Sequence, residues 1–343
     1  MKIAVKMLLP GLLLLPLLLP LGGCGCGFDC NSENDDEDRP ALLTLGFSDS
    51  LPEDLKQVVI EVDSITFQRS GVEDVVVDEF TIPKLELVDV PTFKIDLLKY
   101  RGTAQLEVIT DLELVTGTYN AVSIAILTGG VNQSYVQQED DSFKAIKVSS
   151  GVRGLPGIQL SSGKRAFTVE FGLAQALQYE ASSETYLLTT NGVRIENNQT
   201  AATLSGTVDS ALFNSVSPCS EKGEPIKGNR VYLYKGSNLL PENLADVFNS
   251  DSITTIPANA IAPFAVASMA SSGTPVSWTY TFGFVPPGSY TIAFSCNTAA
   301  DDAVEYNGLA IPLPSNQKYE ITLTEAQKGE CNLRPSASAS TSC

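Results

Sequence analysis

The nucleophilic and basic side chains of this sequence lack the partners that enzyme catalysis requires. The 343-residue chain contains no histidine, which removes the Ser-His and Cys-His pairs of covalent catalysis and the commonest zinc ligand. Ser161-Ser162-Gly163-Lys164 and Ser315-Asn316-Gln317-Lys318 match the Ser-x-x-Lys pattern of one hydrolase class. Neither begins a predicted helix, and the companion motifs of that class are missing. The sequence therefore predicts a protein that is not an enzyme.

Two acidic clusters could supply oxygen ligands to a cation. Glu139-Asp140-Asp141 forms one cluster, and Asp301-Asp302 with Glu305 forms the other. Carboxylate oxygens are the ligands that Ca²⁺ prefers. Both clusters are also typical of solvated turns, which is the interpretation we favour. The sequence thus predicts no metal site and no cofactor, and Ca²⁺ is the one metal worth testing.

Four aromatic residues alternate along one predicted strand near the carboxyl end of the chain. They are Trp278, Tyr280, Phe282 and Phe284. Four rings on one face could form a platform for a sugar, with Trp278 and Tyr280 as the ligand-binding candidates. Alternation also predicts the buried face of any half-buried strand. We favour the core interpretation and expect Trp278, at the end of the strand, to be the most exposed of the four.

Cys24 has the most distinctive surroundings of the seven cysteines. It follows Leu21-Gly22-Gly23 at the end of a leucine-rich segment that begins with Lys2 and Lys6, which is typical of a secretory signal peptide over residues 1–23. Three prolines and the shortness of the apolar run argue against a transmembrane helix. An ordinary signal peptide cut near Cys24, with its thiol left free, is the alternative.

The Leu-Gly-Gly-Cys stretch resembles the lipobox of bacterial lipoproteins. The resemblance implies transfer of a diacylglyceryl group to the thiol of Cys24, cleavage before it, and acylation of the new amino terminus. Two or three acyl chains hold a protein stably on a membrane. Gly25 stands where an inner-membrane retention signal would place Asp. The resemblance therefore implies an exported protein that is lipid-anchored, with palmitate or a similar acyl chain, at the bacterial outer membrane.

The other six cysteines are an even number, able to pair in an oxidising compartment. We expect a disulfide between Cys219 and Cys296, because both lie in one predicted domain. Two further pairs would close small loops. These are Cys26 with Cys30 and Cys331 with Cys343.

The chain is strongly acidic, with a formal net charge of -18. Such a chain repels phosphate backbones, so nucleic acid is not an expected partner. The run Asn31 to Pro40 is polar and acidic and has almost nothing to bury. We therefore expect residues 24–40 to consist of the lipidated Cys24 and a disordered tether.

Residues 41–197 show short runs of β-branched and aromatic residues separated by turn residues, which predicts an all-β domain. Val58, Ile60 and Val62 alternate, and the alternation resumes one residue out of step at Ile65 and Phe67. The slip predicts a β-bulge near residues 63–64. Tyr119 follows a glycine turn, and we expect it to be a core residue whose hydroxyl finds a backbone partner.

This region resembles a bacterial family of secreted proteins and lipoproteins known as domain of unknown function 4382. The resemblance is carried by Thr44-Leu45-Gly46-Phe47-Ser48-Asp49-Ser50, Val58-Val59-Ile60-Glu61-Val62, Ile65-Thr66-Phe67, Ile95-Asp96-Leu97-Leu98, Gly117-Thr118-Tyr119 and Phe167-Thr168-Val169-Glu170-Phe171-Gly172-Leu173. Gly172 and Ala174 depart from the more acidic pattern usual at the last segment. The family has no assigned activity, so the resemblance implies a fold and a location but no chemistry.

Residues 203–326 resemble a transthyretin-like or carboxypeptidase-regulatory-like module, which is grouped with carbohydrate-binding-like folds. The most specific segment is Phe282-Gly283-Phe284-Val285-Pro286-Pro287-Gly288-Ser289-Tyr290. We expect residues 327–343 to be a mobile tail. The predicted fold class is thus all-β, with two antiparallel β-sandwich domains of immunoglobulin-like or prealbumin-like type behind a cleaved lipoprotein signal peptide.

Taken together, these features favour a lipid-anchored envelope protein that acts by binding or adhesion. Its partners would be the membrane, through the lipid on Cys24, and a glycan or an envelope protein. One alternative is a structural or assembly partner of an envelope complex. Another is a carbohydrate-binding module that uses the carboxy-terminal domain.

Overall fold

The computed structural model describes residues 40–50, 55–148, 152–249, 255–335 and 341–343. The predicted signal peptide, the predicted lipidation site Cys24, the predicted tether and the predicted Cys26–Cys30 pair lie outside these residues. Within the described ranges, no helix has the length and apolar character needed to cross a bilayer.

The first domain, up to Asn197, is built mainly of strands. The strands are β1 (Ala41–Ser50), β2 (Leu55–Gln68), β3 (Val75–Val77), β4 (Phe80–Ile82), β5 (Leu87–Val90), β6 (Phe93–Asp96), β7 (Leu106–Leu114), β8 (Gly117–Leu127), β9 (Tyr135–Gln138), β10 (Phe143–Val148), β11 (Val152–Leu160), β12 (Gly163–Gly172), β13 (Leu177–Glu180), β14 (Thr185–Leu188) and β15 (Val193–Asn197). Its helical segments in the described ranges are the 3-10 turns Pro83–Leu85 and Leu97–Lys99 and the one-turn helix α1 (Leu173–Ala176).

Two sheets enclose the core of this domain. One has the order β15-β12-β1-β7, and the other has the order β11-β8-β2-β9-β10-β14-β13, with β3 and β6 also paired to β2. Buried residues of both sheets form a single hydrophobic cluster, in which the ring of Phe47 lies 6.3 Å from that of Phe93. The domain is therefore β-sandwich-like.

The sheets are mixed, which corrects the expectation of antiparallel sheets. β1 pairs with β12 in parallel along its whole length, and β10 pairs with β14 in parallel. A parallel pair needs a long crossover between its strands. Here the chain between β1 and β12 forms the strands β2 to β11, most of which belong to the other sheet, before it returns beside β1.

Two local predictions for this domain are confirmed. The pairing of β2 with β8 shifts register between Val62 and Ser64, so the bulge lies at the predicted position. Tyr119 is buried, and its hydroxyl donates a hydrogen bond to the carbonyl oxygen of Val115, 3.1 Å away. Tyr290 repeats this arrangement in the second domain, donating to the carbonyl oxygen of Pro286 at 2.7 Å. Both tyrosines bond four residues back in the chain, as in the tyrosine corner of β-sandwiches.

The second domain follows directly. Its strands are β16 (Ala202–Thr207), β17 (Arg230–Lys235), β18 (Ala265–Ser268), β19 (Ala270–Ser272), β20 (Ser277–Val285), β21 (Gly288–Ser295), β22 (Lys318–Leu323), β23 (Lys328–Glu330) and β24 (Thr341–Ser342). They form the sheets β19-β20-β16-β23 and β18-β17-β21-β22-β24, and the one-turn helix α2 (Ala211–Asn214) and the 3-10 turns Cys219–Glu221 and Pro241–Asn243 lie between strands. The likeness of this domain to transthyretin-like modules stays a prediction.

The described part of the predicted mobile tail is structured, which corrects the boundary at residue 326. β23 pairs in parallel with β16, and β24 pairs in parallel with β22. Cys331 and Leu333 are buried in the core of the domain. The Ser- and Ala-rich composition of this segment predicted mobility, but β23 adds to an existing sheet edge through its backbone groups.

Cys219 and Cys296 form a disulfide, as expected, and so do Cys331 and Cys343. The first joins the 3-10 turn that begins at Cys219 to the end of β21. The second ties the last described residues to the core of the second domain. Both pairs fit an oxidising compartment.

We predict that the two disulfides differ in their effect on stability. The chain-entropy relation gives a contribution of about 4.5 kcal/mol for a loop like that of Cys219–Cys296 and about 3 kcal/mol for one like that of Cys331–Cys343. The sequence separations are 77 and 12 residues. Thermal unfolding of the two double Cys→Ala variants should show the larger drop in Tm for Cys219→Ala with Cys296→Ala. Equal drops would contradict the prediction.

Candidate functional site

The aromatic strand is mainly core, which is the interpretation that alternation favoured over a sugar platform. Tyr280 is 1% exposed, and its hydroxyl donates to the carbonyl oxygen of Cys331 at 2.8 Å. Phe282 is buried beside it. Trp278 is half-buried and packs edge-on against Phe213, with ring centroids 5.6 Å apart. Tyr280 cannot stack on a ligand in this structure, which corrects its nomination as a binding residue.

Phe284 does not share the face of these three residues. The pairing of β16 with β20 shifts register between Ala202–Val285 and Leu204–Phe282, so β20 is bulged at this point. Phe284 has a φ of 49°, and Val285 takes the fully buried position that alternation assigned to Phe284. A bulge in the middle of an aromatic run leaves the sequence pattern unchanged, which is why alternation alone misplaced this residue.

The acidic clusters and the Ser-x-x-Lys lysines are engaged in structural contacts. Asp141 pairs with Lys56 at 2.7 Å in the turn between β9 and β10. Lys164 pairs with Asp111, and Lys318 is buried against Glu320 at 2.8 Å. Across the described ranges, no group of three or more His, Cys, Asp or Glu side chains is arranged to hold a metal ion.

The junction between the two domains is polar and closely packed. Gln175, in α1, donates a buried hydrogen bond to the carbonyl oxygen of Pro263 at 2.9 Å. Asn191 donates to the carbonyl oxygen of Ala303 at 3.3 Å. A Cβ atom on Gly283 would lie 1.9 Å from the carbonyl oxygen of Gly102, so only glycine allows this approach of the two backbones. These contacts fix one domain against the other.

A buried ion network occupies the centre of the junction. Arg194 lies between Glu170, at 3.9 Å, and Glu196, at 3.3 Å. Its guanidinium donates to the carbonyl oxygen of Gly283 at 3.4 Å and lies 4.8 Å from the ring centre of Phe264. Arg194 thus joins two carboxylates of the first domain to the backbone and an aromatic ring of the second.

Burial sets the proton affinity of the two carboxylates. It raises the pKa of Glu170 to about 7, against the opposing effects of Arg194 and of a hydrogen bond from Ser48. Burial also raises the pKa of Glu196 to about 7, while Arg194 and Lys235 oppose it and Glu170 reinforces it. Glu170 is only 1% exposed, so it has no access to an external substrate. The network therefore connects the two domains.

A groove lies beside this junction and is lined by both domains. Its volume is about 490 Å³. The first domain contributes the aromatic pair Tyr179 and Tyr186, which face each other across β13 and β14 with ring centroids 5.1 Å apart. Tyr179 is 42% exposed, whereas Tyr186 is buried. The amide groups of Gln138 and Gln178 also line the groove.

The second domain supplies the charged residues of the groove. Asp301 is held by Arg230 at 3.2 Å, by the hydroxyl of Tyr232 at 2.5 Å and by the backbone N–H of Val247 at 3.0 Å. Burial raises its pKa to about 6, against the opposing effects of Arg230 and Tyr232. Asp302 accepts a hydrogen bond from the amide of Gln178 at 3.5 Å, and this bond connects the two domains across the groove.

Sequence reasoning missed most of this groove. The sequence presents Asp301 and Asp302 only as candidate cation ligands, and it has no signal that singles out Tyr186. Leu177 and Tyr179 alternate in the sequence like any two residues on a buried face. Tyr179 is exposed because β13 is the last strand of its sheet, and strand order is not visible in the sequence.

The first domain matches a known protein family. The family model described as Domain of unknown function (DUF4382) matches residues 40–190. The match ends just before β15, so it covers nearly the whole of the first domain and leaves the second domain outside it. No curated protein matches the chain.

Several solved structures were matched, all at low similarity. They include a leucine-rich repeat protein from Bacteroides thetaiotaomicron (10% identity, TM-score 0.18, 89% of this chain and 27% of that one). A proposed adhesin from Bacteroides ovatus has 8% identity and a TM-score of 0.18 over 92% of this chain and 98% of that one. A proposed cell adhesion protein from Bacteroides fragilis has 10% identity and a TM-score of 0.18 over 86% and 92%. This chain spans about a quarter of the first of them.

We predict that Glu170 makes stability depend on pH at the junction. Its pKa rises from an ordinary value of 4.5 to about 7 on folding, so between these values the folded state holds more protons than the unfolded state. The contribution of Glu170 to the free energy of unfolding is therefore fully present below pH 4.5. It falls as the pH rises from 4.5 to about 7 and no longer changes at higher pH. The total change is at most about 3 kcal/mol.

The test compares the Tm of the wild type and of Glu170→Gln across this window. The variant keeps the size of the side chain but cannot ionise, so its Tm should increase relative to that of the wild type as the pH rises. Glu184→Gln is the control, because Glu184 pairs with Lys144 at the surface. A difference between wild type and Glu170→Gln that stays constant with pH would contradict the prediction.

Proposed function

We propose that this chain, whose residues 40–190 form a DUF4382 domain, is an exported, lipid-anchored envelope protein that acts by binding a ligand rather than by catalysis. The observation that carries the proposal is the groove of about 490 Å³ between the two domains. This volume is typical of small-molecule sites, and aromatic and polar side chains converge there from both domains.

The engagement of the ionisable groups supports binding over catalysis. The carboxylates with a pKa near neutrality, Glu170 and Glu196, are paired with the buried Arg194. Asp301, in the groove, is held by three donors. A general acid or base must reach a substrate with an atom free to exchange a proton. The groove instead presents side chains suited to contact and hydrogen bonding.

The two disulfides support export, because such bonds persist in oxidising compartments. The lipid anchor follows from the signal-peptide pattern and from the Leu-Gly-Gly-Cys stretch that ends at Cys24. The resemblance of that stretch to a lipobox implies that the mature chain begins at Cys24 and is held at the outer membrane by its acyl chains.

Metabolic labelling with radioactive palmitate tests the anchor. We expect the wild type to incorporate label and to fractionate with the outer membrane, and Cys24→Ala to do neither. Cys26→Ala is the matched control, since it removes a thiol two residues away and should remain labelled. Labelling of Cys24→Ala, or its loss in Cys26→Ala, would contradict the assignment of Cys24.

Incubation of the purified, full-length mature protein with envelope and extracellular fractions tests binding against catalysis. We expect retained molecules to be recovered chemically unchanged, as judged by mass spectrometry. Time-dependent conversion of a retained molecule, abolished by removing the protein, would show an enzyme and overturn the proposal. Retention of nothing from any fraction would overturn it as well.

A further inference from the structure

The groove contains a partly exposed aromatic ring, that of Tyr179. Tyr179 leaves 42% of its surface exposed on the inner face of its sheet, at the edge strand β13. Its neighbour Tyr186 is fixed by a hydrogen bond from the amide of Gln138 at 3.2 Å. Because the two rings are in contact, Tyr179 is supported from one side and open on the other. Such a ring offers a flat apolar surface to a ligand.

The polar groups around this ring can both donate and accept hydrogen bonds. The amide of Gln138 donates to Tyr186 and accepts from the hydroxyl of Ser142 at 2.9 Å, and the amide of Gln178 donates to Asp302. Each amide nitrogen has a second N–H, and each amide oxygen has a second lone pair, for a ligand. Asp302 is oriented by the backbone N–H groups of Val304 and Glu305, which it accepts at 2.8 and 2.9 Å. A ligand with many hydroxyl groups, each of them donor and acceptor, matches this set better than a purely apolar ligand.

The charge of the groove excludes an anionic ligand. Asp301 and Asp302 both lie there, and the positive charge of Arg230 is engaged by Asp301. The whole chain carries a net charge of -18, which adds a long-range repulsion for anions. A metal ion is not favoured either, because the described residues provide no group of three or more His, Cys, Asp or Glu side chains that could hold one.

We propose that the groove binds a neutral saccharide, with one sugar ring lying against Tyr179 and its hydroxyl groups hydrogen-bonded by Gln138, Gln178 and Asp302. The proposal rests on the binding function given above and adds the ligand class and the place of contact. The contact lies at the edge of the first domain and across the domain junction, not on the aromatic strand β20. Both walls of the groove are held by the junction, so the site exists before the ligand arrives.

The test is a glycan array probed with the full mature protein, followed by calorimetry with the best neutral glycan. We expect Tyr179→Ala to lower the affinity at least tenfold and Tyr179→Phe to keep most of it, because the phenyl ring retains the flat surface. Phe143→Ala is the matched control. Phe143 is 49% exposed on a nearby strand, β10, but its register places it on the opposite face of the same sheet, against Tyr135. Affinity should be unchanged in this variant.

Each outcome decides the proposal. Glycan binding that survives Tyr179→Ala, or that is lost equally in Phe143→Ala, overturns the site. Preference for acidic glycans, or no glycan binding by the wild type, overturns the ligand class. In that last case, retention of another envelope molecule unchanged would still support the binding function, so the two failures are distinguishable. Thermal unfolding of all three variants confirms that they fold, as expected for changes at exposed rings.

Discussion

A buried guanidinium at the domain junction is the interaction on which the arrangement of the two domains depends. Arg194 comes from the last strand of the first domain, takes both of its carboxylate partners from that domain, and meets Gly283 and Phe264 of the second. A buried ion network adds little net stability, because desolvation of the charges offsets their attraction. Its geometry is demanding, however, since each charge needs partners in fixed positions. The network therefore specifies how the domains sit more than how strongly they adhere.

The groove is a consequence of that fixed arrangement. One wall is the edge of a sheet in the first domain, where Tyr179 and Tyr186 lie, and the other is the loop of the second domain that contains Asp301 and Asp302. Residues of both domains line the groove. The hydrogen bond from Gln175 to Pro263 supports the same geometry close to the groove, because α1 leads directly into β13. A binding site built in this way loses little conformational entropy when a ligand enters.

The two confirmed local predictions for the first domain rest on short-range patterns, whereas the parallel pairing of strands and the face of Phe284 depend on strand order. The bulge beside Ser64 and the hydroxyl bond of Tyr119 follow from a few consecutive residues, because side-chain period and turn chemistry act locally. The parallel pairing of β1 with β12 joins segments more than a hundred residues apart, and no local pattern encodes it. The bulge that displaced Phe284 from its expected face is set by the pairing of β20 with β16. The strand β23 likewise appears only because an edge was available for it.

The sequence by itself determined the class of this protein: a strand-rich, acidic chain without histidine, with cysteines able to pair and with a leucine-rich segment before Cys24 that predicts a lipoprotein signal peptide. Composition and short periodicities carry that information, since each residue type has the same chemistry wherever it lies. The tertiary structure alone decided which side chains meet. It placed Tyr280 in the core and left Tyr179 at an open edge, although both belong to alternating runs. Exposure depends on what packs against a face, and that is set by the order of strands and the junction of the domains.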